Sequence, residues 1–461
     1  VKVLKFGGTS IKTPERIENV LKIIRDARAE GEITVVVSAF GGITDLLASA
    51  AHKAEKGDLS YRKDLEKYTQ IHVDMVKTLI KGESYPEAMK FTHKYVSRLS
   101  DILYGVSLVK DLAPKSYNQI LSYGERLSAQ IISTYLSVNG LEAEYLDARD
   151  VIRTDSTYGS AVVNFKKTNA QIKEYYKERD KLQIITGFIA SNAKGETTVL
   201  GRSGSDYTAA IIGAALEASE IEIWTDVDGI LTANPKQVSK AHPILHMTYE
   251  DAMEMSHFGA KVLFPPTIQP AMQLGIPIRI KNTFNPEFPG SLIDGVGSKD
   301  KHHITGISSM DEISLIRIQG SGMVGKTGLT ARIFQAIARA NVGVMLISLA
   351  SSEHSICFAV EPDNAETAKN ALEDEFEWEI KHKNIAQILI EDQLCIVAVV
   401  GDNMRHIPGI AGKVFSTLGE NAVNVVAIAQ GSSERNISIV VAKKDVSQVM
   451  RVLHAAFFDE I

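Results

Sequence analysis

The first fifty residues alternate in a regular rhythm. VKVLKF is a short apolar run, TPERIENVLKIIRDARAE spaces its apolar residues as a helix does, and ITVVVSAF is a second apolar run. Continuous apolar strands separated by amphipathic helices predict a parallel sheet covered on both faces. From about Asp45 to Val138 the pattern is almost purely helical and strongly charged. Strands resume at LEAEYLD and LQIITGFIA, then TTVLG, the helix SDYTAAIIGAALEA, IEIWTD and PIRIKNT. The stretch NPEFPGSLIDGVGSKDKHH is dense in turn formers and marks a boundary near residue 303.

Beyond that boundary the chain repeats itself. Shifting by 81 residues lays 320–360 over 401–441 without a gap, matching Gly320 with Gly401, Gly328 with Gly409, Phe334 with Phe415 and Val342 with Val423. Each copy reads strand, glycine loop, helix, strand, turn, strand. The repeat decides how GSGMVGKT (320–327) should be read. Alone it matches G-x-x-x-x-G-K-S/T, the loop that cradles nucleotide phosphates. Its partner copy is GDNMRHIPG, with Ile407 and Pro408 where Lys326 and Thr327 stand. A structure shared by both copies cannot depend on a lysine–phosphate contact, so ATP is expected elsewhere.

Composition narrows the class. At 461 residues, 44% hydrophobic and 23% charged, the chain has room for two or three domains. A formal charge of -6 without a basic, aromatic-interleaved stripe argues against nucleic acid as a partner. Cys357 and Cys395 show no C-x-x-C spacing and read as thiols in a reducing compartment. No apolar run is long enough to span a bilayer, and VKVLKF reads as a strand rather than a signal peptide, so a cytoplasmic protein without a membrane partner is expected. His242, His246 and His257 lack ligand spacing, and no protein-held metal site is expected.

Phosphate chemistry has better candidates near the N-terminus. KFGGTS (5–10) joins a strand to a helix, so glycine N–H groups and a helix N-terminus can approach an anion while Lys5 supplies positive charge. SAFGGITD (38–45) repeats the strand, glycine pair and hydroxyl, GRSGSDYTAA (201–210) gives a third glycine loop, and WTDVDG (224–229) follows another strand. Glycine turns between strands and helices are common, so each segment alone is equally compatible with a purely structural role.

Taken together and in order, KFGGTS, SYGERLSA, LGRSGSDYTAA, WTDVDGILTANP and MSHFGAKVLFP, followed by the paired repeats, resemble the aspartokinases of the amino acid kinase family. The likeness spans essentially the whole chain. It is strongest to the kinase half of bifunctional aspartokinase–homoserine dehydrogenases, in NTFNPEFPG, SSEHSICFAV and AIAQGSSERNISIV. No dinucleotide fingerprint occurs, so no dehydrogenase module is expected within these residues.

The resemblance implies an α/β amino acid kinase fold, a parallel-rich αβα sandwich over 1–303, followed by two ferredoxin-like ACT domains over 304–461. The first ACT domain is expected at about 313–385, inserted into a second made of 304–312 plus 386–461. It implies ATP-dependent phosphorylation of the β-carboxylate of L-aspartate, with Mg2+ accompanying ATP. Lys5 and Asp206 would be catalytic, with Asp206 holding the lysines. Ser38, Thr44, Glu125, Arg202 and Ser205 would bind substrate, Glu125 taking its ammonium and Arg202 its α-carboxylate. Lys5, Gly7, Gly8, Ser10, Thr225, Asp226, Lys236 and Lys261 would surround the nucleotide.

For each residue the bland alternative is a solvated surface group. For Glu125 and its neighbour Arg126 it is a buried structural ion pair. Three positions depart from the family pattern: Leu231 where tyrosine is frequent, Lys236 where arginine is, and Phe264 in place of a histidine. The ACT pair implies a homodimer, with further assembly to a tetramer open, and feedback inhibition by an end-product amino acid, threonine with lysine as the rival. Met323, Gly325, Leu349 and Gln430 are the effector candidates, and the mismatch of Leu349 with Gln430 predicts unequal sites. Two other readings stand beside this one: another kinase of the family, acting on glutamate or acetylglutamate, or an inactive amino acid sensor.

Overall fold

The computed structural model describes residues 1–259, 263–298, 304–320, 328–349, 355–404, 407–431 and 433–459. They gather into two compact units, Val1–Ile230 with Leu245–Tyr249 and Val262–Ser298, and Leu231–Ile244 with Glu250–Lys261 and Lys299–Ile461.

The first unit is built on strands β1 (Lys2–Phe6), β2 (Ile33–Val37), β3 (Ala143–Leu146), β4 (Arg153–Thr154), β5 (Leu182–Thr186), β6 (Ile189–Asn192), β7 (Thr197–Val199), β8 (Glu220–Thr225), β9 (His246–Thr248), β10 (Ile278–Asn282) and β11 (Ser291–Asp294). Eight of them form one sheet in the order β3-β5-β2-β1-β8-β10-β11-β9, parallel throughout except between β10 and β11. β2 and β5 are buried at every position, as strands covered on both faces must be. β4, β6 and β7 make a small second sheet.

Helices α1 (Pro14–Glu30), α2 (Ile43–Glu55), α3 (Tyr61–Leu79), α4 (Tyr85–Val109), α5 (Pro114–Val138), α6 (Phe165–Tyr176) and α7 (Gly204–Leu216) follow, and the helical stretch read from the sequence is α2 to α5. α1 and α5 open on proline, whose missing N–H costs nothing in a first turn. α5 is buried almost all round, enclosed by α2, α3, α4 and β5. Its Leu127, Ile131 and Leu136 join Leu4, Val35, Leu47 and Leu99 in the main core. The central β1 and β2 both end where the glycine loops begin, which brings KFGGTS and SAFGG to one edge of the sheet.

The second unit contains α8 (Tyr249–His257), apart from its first residue, and β12 (Gly306–Gln319), α10 (Leu329–Arg339), β13 (Leu346–Leu349), β14 (Ser355–Val360), α11 (Ala365–Glu375), α12 (Glu377–Lys381), β15 (Gln387–Val400), α13 (Ile410–Glu420), β16 (Ala427–Ala429), β17 (Asn436–Ala442) and α14 (Val446–Phe458); α9 (Pro265–Leu274) belongs to the first. An antiparallel sheet runs β13-β14-β12-β15-β17-β16. β12 and β15 are fourteen residues each and serve both ends: 306–310 pair with 396–400, and 315–319 with 387–391, across a bulge after Met310.

The 81-residue register recurs in the elements. Helix 329–339 matches helix 410–420, and both start after a glycine at positive φ, Gly328 at 87° and Gly409 at 97°. Only glycine takes that conformation without a Cβ penalty. Each copy has its own core, around Ile316, Ile333, Phe358 and Leu372 in one and Val397, Val414, Ile439 and Leu453 in the other.

Residues 231–244 cluster with this unit, although no change of composition sets them apart. Ala233 and Val238 enter the core of the second copy. The Thr232 carbonyl accepts the Ile307 N–H at 2.7 Å, and its hydroxyl lies 3.0 Å from His454 Nε2 on α14.

Candidate active site

The two glycine loops of the first unit are pressed backbone to backbone. A Cβ on Gly8 would stand 2.9 Å from the Ala39 carbonyl, and one on Gly41 would stand 3.0 Å from the Gly8 carbonyl, so a side chain at either position would force the loops apart. Beside them opens a cavity of about 490 Å³. Lys5, Gly8, Ser38, Thr44, Glu125, Arg202, Ser205 and Asp206 all line it, drawn from β1, both loops, the start of α2, α5, and the turn and first residues of α7.

Lys5 is 8% exposed and its ammonium forms an ion pair with Asp206 Oδ1, itself in the first turn of α7 where the helix dipole favours a carboxylate. Ser203, in the left-handed region at φ 52°, turns the chain into that helix. Arg202, just before it, is exposed, so its guanidinium is available to a ligand carboxylate. Ser38 is fixed by the Phe6 carbonyl, which accepts its N–H, and by Ser128 Oγ, which donates to its carbonyl at 2.7 Å.

Glu125 is the unusual group. Tyr117, Leu121 and Glu125 recur every four residues along α5 and form the stripe it turns to the cavity. Glu125 is 3% exposed. Its Oε1 accepts only the Ala39 N–H at 3.4 Å, and its Oε2 is buried with no hydrogen-bond partner. Burial pushes its pKa to about 8, against the smaller opposing effect of backbone amides. The expected alternative, an ion pair between Glu125 and Arg126, is not formed. Consecutive helix positions diverge by about 100°, and Arg126 is taken up elsewhere: Nη2 donates to the Tyr95 hydroxyl at 2.8 Å and Nε lies 3.5 Å from Asp147 Oδ2.

The nucleotide candidates are less closely gathered. Gly7, Ser10, Thr225 and Asp226 sit at or just beyond the carboxyl ends of the paired strands β1 and β8, outside the cavity lining. The Gly7 N–H donates to the Trp224 carbonyl at 3.1 Å. The Ser10 hydroxyl is wholly buried, 2.7 Å from the Thr283 hydroxyl, so its side chain faces the protein. Thr225 Oγ1 donates to Asp226 Oδ1 at 3.2 Å, and Asp226 is exposed. Lys236 is in the second unit, exposed, with its N–H donated to Asn234 Oδ1. Lys261 lies outside the described residues.

Of the effector candidates, Leu349 and Gln430 follow matching edges of the second unit, Leu349 ending β13 and Gln430 just after β16. Both are exposed, and Ser348 Oγ donates to the Ile428 carbonyl at 2.9 Å. Met323 and Gly325 lie outside the described residues. Among the described residues no cluster of three or more His, Cys, Asp or Glu could hold a metal ion, and no helix is long and apolar enough to cross a membrane.

Sequence reasoning missed Phe188. It lines the cavity with a left-handed backbone, φ 66°, its N–H donated to Thr208 Oγ1 at 3.0 Å. A bulky residue held in that region stores backbone strain, and nothing in TGFIA announces it. Tyr117, Asp45 and Gly159 also line the cavity unanticipated.

Comparison with known proteins places this geometry. The model of the amino acid kinase family matches residues 1–282, and that of the ACT domain matches 316–376 and 397–457. The second pair carries the same 81-residue offset, and the loop 320–327 falls inside the first ACT match. Bifunctional aspartokinase/homoserine dehydrogenases of Arabidopsis thaliana and Haemophilus influenzae are each 35% identical over 99–100% of the chain, which spans 50% and 57% of their length. Against these relatives the chain is thus about half a protein. It spans 80% of an Arabidopsis thaliana aspartokinase 1 at 30% identity. The structure superposes on E. coli aspartokinase III solved with aspartate and ADP in its R-state at TM-score 0.85 and 28% identity, covering 99% of this chain and 100% of that one. With the lysine- and aspartate-bound T-state the TM-score is 0.78. The chain therefore belongs to the amino acid kinase family, and within it to the aspartokinases.

Proposed function

We propose that this chain transfers the γ-phosphoryl of MgATP to the β-carboxylate of L-aspartate, releasing ADP and 4-phospho-L-aspartate. The observation that carries the reading is one cavity holding three separate answers to an amino acid with a second carboxylate. The unpaired buried oxygen of Glu125 suits an ammonium, exposed Arg202 suits an α-carboxylate, and the Lys5–Asp206 pair suits the reacting end. E. coli aspartokinase III, solved with aspartate and ADP, supports it.

The chemistry asks little of the protein beyond position and charge. The attacking carboxylate is already ionised, so no general base is required, and catalysis rests on holding the groups in line and neutralising charge as it spreads over the equatorial oxygens. Lys5 offsets that charge, and Asp206 fixes its ammonium in place. Gly7 and Gly8 offer N–H groups to the phosphates, Thr225 and Asp226 face the rest of the nucleotide, and Ser38, Thr44 and Ser205 add hydrogen bonds to the substrate. Lys236 and Lys261 belong to the same proposed nucleotide set.

We further propose feedback inhibition through the ACT pair, with threonine favoured by the likeness to bifunctional relatives and lysine the rival, and Met323, Gly325, Leu349 and Gln430 around the effector. A dimer through these units fits the exposed apolar side chains on the edge strands, Ile347, Leu349 and Ile428. The test is hydroxylamine trapping of the acyl phosphate with MgATP and aspartate, glutamate or acetylglutamate, with and without threonine or lysine. Aspartyl hydroxamate is expected. A hydroxamate from glutamate alone, or none, sinks the aspartate reading, and indifference to threonine sinks the choice of effector.

A further inference from the structure

Behind the cavity, on the far side of α5, lies a buried charged network that touches neither ligand site. Its centre is Arg126, next in sequence to Glu125. The guanidinium lies 4.4 Å from the ring centroid of Tyr95 on α4 and 5.2 Å from that of Tyr123, with Nη2 donating to the Tyr95 hydroxyl. Asp147, just after β3, accepts hydrogen bonds from Arg149 Nε at 2.9 Å and Nη2 at 2.7 Å and from the Tyr145 hydroxyl at 3.2 Å, and forms an ion pair with Arg126, whose Nε lies 3.5 Å away without a hydrogen bond. Asp147 is buried at 8% exposure, yet the two arginines hold its carboxyl ionised: burial pushes its pKa up, and the Arg149 contacts followed by the Arg126 charge outweigh this and leave it below the ordinary value.

Glu125 and Arg126, adjacent on α5, are thus both buried without being paired with each other. In a medium of low polarity an ionised Glu125 and the Arg126 guanidinium would attract each other. Their side chains leave α5 about 100° apart, and the Asp147 ion pair with the two tyrosine rings holds Arg126 on its own side. We infer that Asp147 is a positioning residue for substrate recognition: by holding Arg126 against Tyr95 it keeps the outer oxygen of Glu125 free for the substrate ammonium. The inference rests on the aspartate reading above and adds to it a residue that lines no part of the cavity. The other charged and titratable groups around Glu125 are Lys5, Arg202 and Asp206 across the cavity, Asp45 and Tyr117 on its wall, and Tyr68 and Tyr123 behind it.

Asp147→Asn removes the charge that retains Arg126, and the guanidinium then turns to Glu125. KM for aspartate is expected to rise about three- to tenfold at pH 9, kcat to change less than twofold, and the pH midpoint of aspartate binding to fall. A structural role alone would not move that midpoint. Adding Arg126→Met to Asp147→Asn removes the competing cation and is expected to return KM and midpoint to within about twofold of wild type. If the single variant fails to fold, Tyr95→Phe loosens the same guanidinium and is expected to lower the midpoint in the same direction. A midpoint unchanged in whichever of these variants folds, or a double variant no better than the single, overturns the inference. Glu125→Gln separates the two levels. If it leaves KM and its pH slope as in wild type, the aspartate reading and this inference fall together. If it flattens the slope while Asp147→Asn behaves as wild type, only the inference falls.

Discussion

Glu125 gives the sharpest test because its burial makes a quantitative demand. Its carboxyl is pushed to about 8 from an ordinary value of 4.5, which makes the ionised form roughly 5 kcal/mol more costly than in water. If aspartate binds only the ionised form, about one empty site in ten is ready at pH 7 and about one in a hundred at pH 6. Apparent affinity for aspartate should therefore rise about tenfold from pH 6 to 7, about fivefold from pH 7 to 8, and level off near pH 9. Binding at pH 7 should release close to one proton, because the ammonium drives Glu125 to ionise. Calorimetric titration of aspartate in buffers of different ionisation enthalpy measures both quantities, and Glu125→Gln should bind more weakly, with no pH slope and no proton release. The same shift has a stability consequence of defined sign. The folded state holds this proton more tightly than the unfolded chain, so the contribution is fully present below about pH 4.5 and is lost as pH rises through about 8. A pH-flat KM in the wild type, or an undiminished slope in Glu125→Gln, would refute the reasoning.

Other expectations follow from the same structure. Lys5→Ala should lower kcat about 10²–10³-fold with a smaller effect on KM for aspartate, as for loss of one group that stabilises transition-state charge, and Asp206→Asn should follow it because Lys5 loses its anchor; steady-state kinetics with both substrates checks this. Arg202→Lys keeps the charge but loses the fork, and should raise KM for aspartate about tenfold with kcat little changed. Lys326→Ala should leave KM for ATP within about twofold, since its loop belongs to the first ACT copy, whereas Met323→Ala or Gly325→Ala should alter feedback inhibition. Gly328→Ala and Gly409→Ala place a Cβ at matched positive-φ helix starts and should each cost about 1–2 kcal/mol, read as similar losses of melting temperature.

Much of the architecture was written in spacing. The continuous apolar runs of β1, β2 and β5 could belong only to buried parallel strands, and the register of 81 returned as helices 329–339 and 410–420. That Lys5 stands at a strand end beside a glycine loop was legible in the residues themselves, whereas Asp206, Glu125 and Arg202, which line the same cavity, were reached through the family resemblance. Three things were not. Phe188 reaches the cavity through a left-handed backbone angle, which a phenylalanine in a sequence does not disclose. Residues 231–244 follow a kinase strand without a break in pattern, and the packing of Ala233 and Val238 with the Thr232 contacts to Ile307 and His454 shows which core they serve. The partner of Arg126 was invisible because Asp147 lies 21 positions away on another element, while Glu125 stands adjacent and misleads.

A helix buried on nearly every side must dispose of whatever charges it carries, and α5 carries two in succession at its most enclosed turn. Pairing them with each other would satisfy both and leave the cavity wall inert. Sending Arg126 backward to Asp147 instead leaves one carboxyl short of a cation, and the missing cation is then supplied by whatever ligand brings an ammonium. Substrate affinity on this view depends on a stabilising contact deliberately absent from the empty enzyme, so any variant that supplies an internal cation to Glu125 should gain stability and lose affinity together.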